Sequence, residues 1–428
     1  MKSILTVIMS TLSDHLVKKF NSLTSAKKVL IAYSGGLDSH VLLHALASIA
    51  PSQNLQIRAI YIDHGLQLIA KQWPQHCLTV CNRLSIACEI VSLNLSIPKG
   101  KSLEAVARDA RYQAFAERIQ QDEMLVTAHH QDDQAETLLV QLFRGAGING
   151  LAAMPVISDF ASGQHMRPLL DQSRESLEQY AQQHKLDTIK DPSNQDQCFD
   201  RNFLRHAIIP RLKNRWKSIN QLLARAAHHQ AEAKNLLTEY LRQDLPVLVG
   251  KRSGTLSIKK LKQLSLARRK AIIRYFIDQK GFLAPSEKKL HHILSDVLNA
   301  GQSAMPCVHW QGVEVRRHQG DLYAIAPLTP HNTQQIIHWD TNQPLQLHCL
   351  NRILKSDQLE GIDALLVKHN HKVEVRFRQG GEKIYQAQRK HTQSLKKIFQ
   401  EMHIPTWERD RIPLIYIDNK LVFIVFKN

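Results

Sequence analysis

The stretch KVLIAYSGGLDSHVLLHAL, residues 28–46, passes from an apolar run to an amphipathic pattern across the six residues SGGLDS. A strand that ends in a Gly-Gly turn before a helix exposes backbone N–H groups at the positive end of the helix dipole, and this arrangement binds anions. The two serines add hydroxyl donors. The Asp38 carboxylate points to a different feature, because a carboxylate beside a phosphate requires Mg²⁺ between them. No lysine follows the glycines, so the loop is neither GxxxxGK[ST] nor GxGxxG. The alternative is a capped turn with incidental serines. We predict a phosphate site at Ser34, Gly35, Gly36, Leu37, Asp38 and Ser39.

Two residues of this loop receive specific expectations. Asp38 is the predicted Mg²⁺ ligand, because its carboxylate has no other evident purpose beside a phosphate. A side chain at Gly36 is expected to block the approach of phosphate to the backbone, and to strain any positive-φ conformation there.

Short apolar runs alternate with helical patterns from Lys28 to about Asp191. The apolar runs cover 29–33, 57–63, 87–95 and 123–128, and the helical patterns cover 39–49, 67–84, 102–120 and 131–143. This alternation predicts an α/β fold with a doubly wound parallel sheet covered on both faces. Ligands of such sheets lie beyond the carboxyl ends of the strands. Asp63 with His64, and His129 with His130, follow two of the strands and are therefore expected beside the loop.

The pattern changes past Pro210. A long helix is predicted over 218–241, basic helices over 264–281 and 287–300, an alternating hairpin or small sheet over 308–327, and a final hairpin that turns at Asp418-Asn419. We predict four regions: a catalytic domain at 1–216, a mainly helical middle domain with its connector helix at 217–328, a linker at 329–349 and a small α+β domain at 350–428.

The charge balance indicates a polyanionic partner. Lys and Arg number 56 against 38 Asp and Glu, which gives a net charge of +18. Nucleic acid is the first candidate and a membrane surface the second, with charge for solubility as the alternative. The 6 cysteines include no CxxC pair, which favours a reducing compartment. No run approaches the roughly 18 apolar residues of a membrane span. We therefore expect a cytoplasmic protein without a membrane partner.

Several motifs together resemble one family. SGGLDS resembles the PP-loop of ATP pyrophosphatases, which cleave ATP between the α- and β-phosphates. HHQDDQAETLLVQLFRGAG, residues 129–147, resembles the HHxxDxxET block of the isoleucine-tRNA lysidine synthetase group. Further matching segments are RPLL (167–170), DPSN (191–194), DRNFLR (200–205) and the C-terminal residues 378–416. Matches thus occur in the catalytic and the C-terminal regions alike.

The resemblance implies a specific activity. ATP would adenylate C2 of the wobble cytidine in the isoleucine tRNA with a CAU anticodon, and the ε-amine of L-lysine would then displace AMP. The product, lysidine, reads AUA rather than AUG. A PP-loop tRNA thiolase, an ammonia-dependent amide synthetase and a non-catalytic RNA-binding protein are the rival interpretations. A homodimer is compatible with the sequence and stays open.

The residues after the fourth strand suit this chemistry. His130, Asp133 and Thr137 are spaced to share one helical face. The lysine amine must lose a proton before it attacks, so a carboxylate or histidine nearby is useful. The candidate catalytic residues are Asp38, His130, Asp133 and Glu136. The alternative for this block is a helix N-cap with exposed polar residues.

Basic and amide side chains supply candidates for substrate and tRNA contact. They are Arg108, Arg111, Asn194, Arg201, Asn202, Arg205, Arg268, Arg269, Arg378, Lys396 and Lys397. For Arg108 and Arg111, salt bridges within their own helix are an equal alternative. We expect the first domain to carry the chemistry and the later domains to carry most of the tRNA affinity, because a tRNA is far larger than one pocket.

Overall fold

A six-stranded sheet organises the first part of the chain. The computed structural model describes residues 2–65, 72–93, 95–96, 103–301, 304–350, 352–355, 372–386 and 391–426. The chain divides into two compact units, Met1–Leu237 and Thr238–Asn428. None of the helices in the described ranges has the length and apolar character needed to cross a membrane.

The sheet of the first unit is parallel except for one edge strand. Its strands are β1 (Lys28–Ala32), β2 (Gln56–Asp63), β3 (Ala87–Ser92), β4 (Glu123–Val126), β5 (Ile157–Phe160) and β6 (Gly163–Met166). They lie in the order β3-β2-β1-β4-β6-β5, with β5 antiparallel to β6. The order reverses beside β1, so β1 and β4 flank the switch point where ligands of doubly wound sheets bind.

Helices cover both faces of this sheet. They are α1 (Lys2–Leu23), α2 (Leu37–Gln53), α3 (Trp73–Arg83), α4 (Leu103–Arg118), α5 (Gln131–Phe143), α6 (Ile148–Leu151), α7 (Arg174–Gln183), α8 (Asp200–Phe203), α9 (Ile209–Arg215) and the start of α10 (Ile219–Asp244). A π-helical turn, Leu204–Ile208, joins α8 to α9. Alternate residues of β1 enter two different cores, Val29 and Ile31 on one face and Leu30 on the other. The predicted doubly wound sheet is confirmed.

The second unit contains two small sheets and their helices. The first sheet has the order β7-β10-β9-β8 and the second the order β11-β14-β17-β18. Their strands are β7 (Leu256–Ser257), β8 (Cys307–Trp310), β9 (Val313–His318), β10 (Asp321–Ile325), β11 (Ile337–His338), β14 (Val373–Arg376), β17 (Leu414–Ile417) and β18 (Lys420–Ile424). Two further pairs are β12 (Leu345–Leu347) with β13 (Arg352–Leu354), and β15 (Lys383–Gln386) with β16 (His391–Ser394). The helices are α11 (Ile258–Gln263), α12 (Leu266–Asp278), α13 (Glu287–His292), α14 (Leu395–Glu401) and α15 (Thr406–Arg409).

Most predicted elements are confirmed, with changes at their ends. The helix predicted over 67–84 is α3, which starts at Trp73 and follows a stretch, 66–71, outside the described residues. The helix predicted over 287–300 becomes a π-helical turn, Ile293–Val297, after α13. The final hairpin turns at Asp418-Asn419, as predicted.

Two short strands lie inside the segment predicted as a linker. β11 pairs with β14 and β12 pairs with β13, so parts of residues 329–349 belong to the C-terminal fold. The positions of the three boundaries between the four predicted regions stay a prediction.

Candidate active site

The phosphate loop lies between β1 and α2, at the switch point of the sheet. The Ser39 hydroxyl donates to the Gly36 carbonyl oxygen at 2.9 Å and accepts from the Ser34 backbone N–H at 3.2 Å. The two serine hydroxyl oxygens lie 3.0 Å apart. The serines therefore hold the loop in shape, and Gly36 begins the helix without a side-chain cap, which leaves the first N–H groups of α2 for an anion.

The two glycines of the loop have different roles. Gly35 has φ of +76°, and a Cβ atom there would lie 2.3 Å from the Ile189 Cδ1 atom. Gly36 has φ of −70°, and only the Ser34 hydroxyl oxygen would lie within 4 Å of its Cβ, at 3.5 Å. Gly36 therefore has no positive-φ conformation for a side chain to strain, since Gly35 carries it. Gly36 leaves open space in front of the loop.

His130 and Asp133 form a reciprocal cap at the start of α5. The His130 backbone N–H donates to Asp133 Oδ2 at 3.0 Å, and the Asp132 N–H donates to His130 Nδ1 at 3.2 Å. Because Nδ1 accepts, the proton of a neutral His130 ring sits on Nε2. That nitrogen lies 3.4 Å from Asp133 Oδ2 and 3.7 Å from Asp38 Oδ1. The N-cap alternative is thus correct for the backbone, but these side chains are largely buried rather than exposed.

Asp38 is paired with an arginine that the sequence did not single out. Arg174 Nη1 lies 2.6 Å from each oxygen of the Asp38 carboxylate. Burial raises the pKa of Asp38, against the opposing effect of His130 and Arg174. Arg174 is the first residue of α7, and its Ser173 N-cap is the local signal that placed a helix start there. Nothing local indicates its distant partner.

Arg205 joins the π-helical turn to α5. Its Nε atom donates to Glu136 Oε1 at 2.6 Å, and its Nη2 atom donates to Glu136 Oε2 at 2.9 Å and Asp133 Oδ1 at 3.0 Å. Burial tends to lower the pKa of Arg205, but the two carboxylates outweigh it and raise it. Burial raises the pKa of Glu136, with Arg205 opposing. Burial also acts to raise the pKa of Asp133, but the two histidines, the His130 N–H and Arg205 lower it overall.

The Asp132 carboxylate, at the start of α5, contacts residues at the ends of three other helices. Its oxygens accept from the Arg174 backbone N–H at 3.3 Å and from the Asn220 side-chain amide, and Lys213 Nζ lies 3.5 Å away. These groups belong to α7, α10 and α9, whereas Asp132 lies in the first turn of α5. The carboxylate therefore joins the ends of α5, α7, α9 and α10, a role the sequence analysis missed.

Comparisons with known proteins identify the family. The PP-loop domain model matches residues 8–212, the TilS substrate binding domain model 256–323, and the TilS substrate C-terminal domain model 373–426. A tRNA(Ile)-lysidine synthase from Coxiella burnetii is 41% identical over 96% of this chain and 91% of its own length. That of Histophilus somni is 38% identical over 96% of this chain and 97% of its own length.

The chain belongs to the tRNA(Ile)-lysidine synthase family. Among solved structures, a U34-tRNA thiolase from Methanococcus maripaludis aligns with a TM-score of 0.45 and 18% identity, over 53% of this chain and 80% of that one. A likeness at that level carries no argument about function. The identified PP-loop domain supports the use of ATP.

The predicted site residues of this lysidine synthase family member do not all lie in one cluster. The loop, His130, Asp133, Glu136 and Arg205 lie together through the contacts given above. Arg201, on α8, donates to the Thr137 hydroxyl oxygen on α5 at 3.0 Å. Asn202 instead donates to the Asp196 carbonyl oxygen at 2.8 Å, and the Asn194 side chain lies outside the described part of the structure.

Asp63 and His64 lie at the carboxyl end of β2, which is on the opposite side of β1 from β4, and Arg108 and Arg111 lie on α4. Asp63 Oδ1 accepts from the Gly65 N–H at 2.9 Å, so this carboxylate also shapes its own turn. Burial lowers the pKa of the neighbouring His64. The guanidinium groups of Arg108 and Arg111 lie 5.1 Å and 5.8 Å from the centre of the Tyr112 ring. The alternative of salt bridges within α4 involves Glu104, whose side chain lies outside the described part of the structure.

The basic candidates of the second unit differ in what they already contact. Arg268 pairs with Asp244 at 2.5 Å, and Arg378 with Asp410 at 3.1 Å. Arg269 donates to three backbone carbonyl oxygens, those of Leu261, Lys262 and Leu264. Lys396 and Lys397 are exposed on α14. Arg269 therefore supports the fold, and contact of the two exposed lysines with a polyanion stays a prediction.

Proposed function

We propose that this chain ligates L-lysine to C2 of the wobble cytidine in the CAU-anticodon isoleucine tRNA, consuming ATP and releasing AMP and pyrophosphate. The observation that carries the proposal is the 41% identity to a tRNA(Ile)-lysidine synthase over 96% of the chain. The pocket supports it, because an anion-binding loop and a group of carboxylates adjoin each other. A ligase that joins a cationic amino acid to an adenylated base needs both.

Asp133 and Glu136 are the groups we assign to the lysine. Both are largely buried beside Arg205, and the lowered pKa of Asp133 keeps it ionised as a partner for an ammonium group. The raised pKa of Glu136 makes it the better proton acceptor of the two. His130 Nε2 lies between Asp133 and Asp38 and would hold the two carboxylates in a fixed relation.

Asp38 is the residue we assign to Mg²⁺. The described residues hold no group of three or more His, Cys, Asp or Glu side chains arranged for a metal ion. Mg²⁺ fits all the same, because it commonly takes one or two protein carboxylates and completes its shell with phosphate oxygens and water. Arg174 would then have to share or release the carboxylate that it contacts. When bound, the ion would neutralise negative charge on the triphosphate.

One assay tests the proposal and separates its rivals. The full chain is incubated with ATP, Mg²⁺, labelled lysine and isoleucine tRNA bearing a CAU anticodon, and the tRNA is then digested and analysed by mass. We expect lysine on the wobble cytidine only when both ATP and tRNA are present. Incorporation of sulfur or ammonia in place of lysine would assign the chain to a rival class, although the absence of a CxxC pair argues against a thiolase.

The proposal also covers the cellular location and the oligomeric state of the protein. We propose a cytoplasmic location, on the ground that the cysteines are few and scattered in the sequence. We propose a homodimer as the form to test by sedimentation equilibrium of the full chain, with and without tRNA.

A further inference from the structure

A chain of hydrogen bonds runs from a buried arginine to His129, at the carboxyl end of β4. Arg167 Nη2 lies 2.9 Å from His165 Nδ1, and His165 Nε2 lies 2.8 Å from the Thr127 hydroxyl oxygen. The same oxygen lies 2.7 Å from His129 Nδ1. Arg167, His165 and Thr127 are each less than 9% exposed, so water does not substitute for these contacts. None of the four residues is among the assigned catalytic groups.

The direction of the first two bonds follows from the chemistry of arginine. A guanidinium group only donates hydrogen bonds, so His165 Nδ1 must accept. Burial lowers the pKa of His165 to about 2, and the ring is therefore neutral with its single proton on Nε2. That proton is donated to the Thr127 hydroxyl oxygen. Arg167 is itself held in place, since its Nη1 atom donates to the Pro155 carbonyl oxygen at 2.9 Å.

The third bond follows from the single proton of the threonine hydroxyl. Among the described residues, the Thr127 side chain has hydrogen bonds only to the two histidines. If His129 donated to it, the Thr127 proton would remain buried without an acceptor, which is unfavourable. The arrangement that satisfies every group has Thr127 donating to His129 Nδ1. The proton of the neutral His129 ring then sits on Nε2.

His129 stays neutral well below the pH at which a free histidine becomes protonated. Burial lowers its pKa to about 3, and Arg167, Arg108 and Arg111 oppose a further positive charge, whereas Asp133 favours it. No hydrogen-bond partner of His129 Nε2 is found within the described ranges, and the side chain is partly exposed. The ring thus offers an N–H group without charge at the edge of the sheet where the phosphate loop lies.

We propose that Arg167, His165 and Thr127 position His129 as a neutral Nε2–H donor to an uncharged acceptor, a carbonyl oxygen or ring nitrogen, on the nucleobase of the RNA substrate. A phosphate would be matched better by a cation, which this site disfavours. The identity of the acceptor rests on the proposed function, but the protonation pattern of His129 does not. Arg167, His165 and Thr127 are positioning residues, since each acts through the next.

The protonation pattern is measured on the full chain by NMR. Protein labelled with ¹⁵N histidine gives long-range ¹H–¹⁵N spectra, in which the ring nitrogen that bears the proton differs in shift from the one that does not. The His129 signals are identified as those absent from His129→Gln. We expect His129 to be protonated at Nε2 in the unmodified protein and in Thr127→Ser, and to become a mixture of both neutral forms in Thr127→Val. Protonation at Nδ1 in the unmodified protein overturns the proposal, whatever the variants do.

Kinetics then test the donor role. We expect the rate of single-turnover lysine transfer to fall about 10-fold in Thr127→Val, the effect of losing one hydrogen bond. The affinity for tRNA should not change, and Thr127→Ser should recover the rate. His229→Gln, on the exposed surface of α10, is the control for loss of a histidine. A Thr127→Val enzyme with an unchanged rate and altered His129 signals overturns the donor role. If the unmodified chain makes no lysidine at all, the proposed function fails, and the NMR result still decides the positioning.

Discussion

At the scale of single residues, Asp38 is the group on which most neighbours converge. His130 and Arg174 approach the same carboxylate from α5 and α7, and burial raises its pKa while both neighbours lower it. These partners therefore favour the charged carboxylate against the effect of burial. An ion that bound there would enter a site that already holds the Arg174 guanidinium group.

Asp38→Asn tests the charge directly. We expect the fold to persist, since an amide still accepts from Arg174, and lysine transfer to fall by about 100-fold or more because one electrostatic contact at the triphosphate is lost. Labelled lysine incorporation measures this, and Asp159→Asn, exposed on β5, is the control. Near-normal transfer by a folded Asp38→Asn protein would refute the Mg²⁺ assignment.

The two loop glycines are expected to fail in different ways. Gly35→Ala should lower the free energy of unfolding by about 1–2 kcal/mol, because of its positive φ, with a further contribution from the close approach of Ile189. Gly36→Val should leave stability nearly unchanged and weaken ATP binding more than about 10-fold, since its side chain would fill the space before the loop. Urea unfolding and calorimetric titration with ATP separate the two. Unchanged ATP affinity in Gly36→Val would make the loop an ordinary turn.

Residue identity could be predicted where the chemistry is local, and not where it depends on distant pairing. The serines, glycines and Asp38 lie within six positions, so spacing alone predicts that they act as one loop. Arg174 lies 136 residues from Asp38, and only the packing of α7 against α2 brings them together. An arginine at a helix start carries no sign of its partner.

At the scale of elements, the carboxylate cluster on α5 depends on the packing of the π-helical turn after α8 against α5. The π-helical turn Leu204–Ile208 contains Arg205, which reaches Asp133 and Glu136 on α5. The sequence predicted a polar group at this place but not the ion pairs. Strands β5 and β6 were also missed, because they are four residues long and β6 contains Gln164 and His165 where an apolar pattern would be expected.

Arg205→Ala should be strongly destabilising. It leaves two carboxylates largely buried without their cation, and breaking a buried pair in this way costs about 3–5 kcal/mol. Adding Glu136→Gln should recover part of this loss, because one unpaired charge is removed. Urea unfolding of the single and double variants measures the effect, with Arg211→Ala on the exposed side of α9 as the control. Additive losses in the double variant would show that the two residues do not interact.

The buried histidines should make the protein sensitive to acid. The pKa of His129 is lowered to about 3 and that of His165 to about 2, whereas the unfolded chain has values near 6.5. The unfolded state therefore binds more protons below pH 6.5, and stability is lost as the pH falls from there toward the folded values. Each histidine contributes a slope of up to about 1.4 kcal/mol per pH unit.

Urea unfolding between pH 4.5 and 7.5 measures this slope. We expect His165→Gln to give a shallower dependence than the unmodified protein, even though it is less stable at pH 7. His229→Gln, whose side chain is exposed, should keep the full slope. An equal slope in all three proteins would mean that His165 is not held neutral by the fold.

At the scale of the whole molecule, a net charge of +18 is distributed over residues with different duties. Some arginines are engaged inside the fold, as Arg269 is with backbone carbonyl oxygens. Others, such as Lys396 and Lys397, are exposed. Composition predicted the polyanionic partner, but it could not separate structural from contacting cations, because that depends on which carbonyl and carboxylate groups lie nearby.

The double variant Lys396→Gln/Lys397→Gln tests this division in the full chain. We expect weaker tRNA binding and a slope of log affinity against log salt that is smaller by up to roughly 1.4–1.8, since each phosphate contact contributes about 0.7–0.9. ATP binding should not change. Lys260→Gln, whose ammonium group already donates to the Val247 and Val249 carbonyl oxygens, is the control and should alter the slope less. An unchanged slope in the lysine double variant would place the tRNA contact elsewhere.

The contacts of Asp132 have a consequence for the order of events during synthesis. Its partner Asn220 lies 88 residues further along the chain, and the Arg174 N–H lies 42 residues further. At a synthesis rate of about 5–20 residues per second, the interval between Asp132 and Asn220 is roughly 4–18 s. During that time β1, β2, β3 and β4 are already complete, whereas the first turn of α5 still lacks its contact with α10. A newly made chain therefore has its central sheet well before it has a finished pocket.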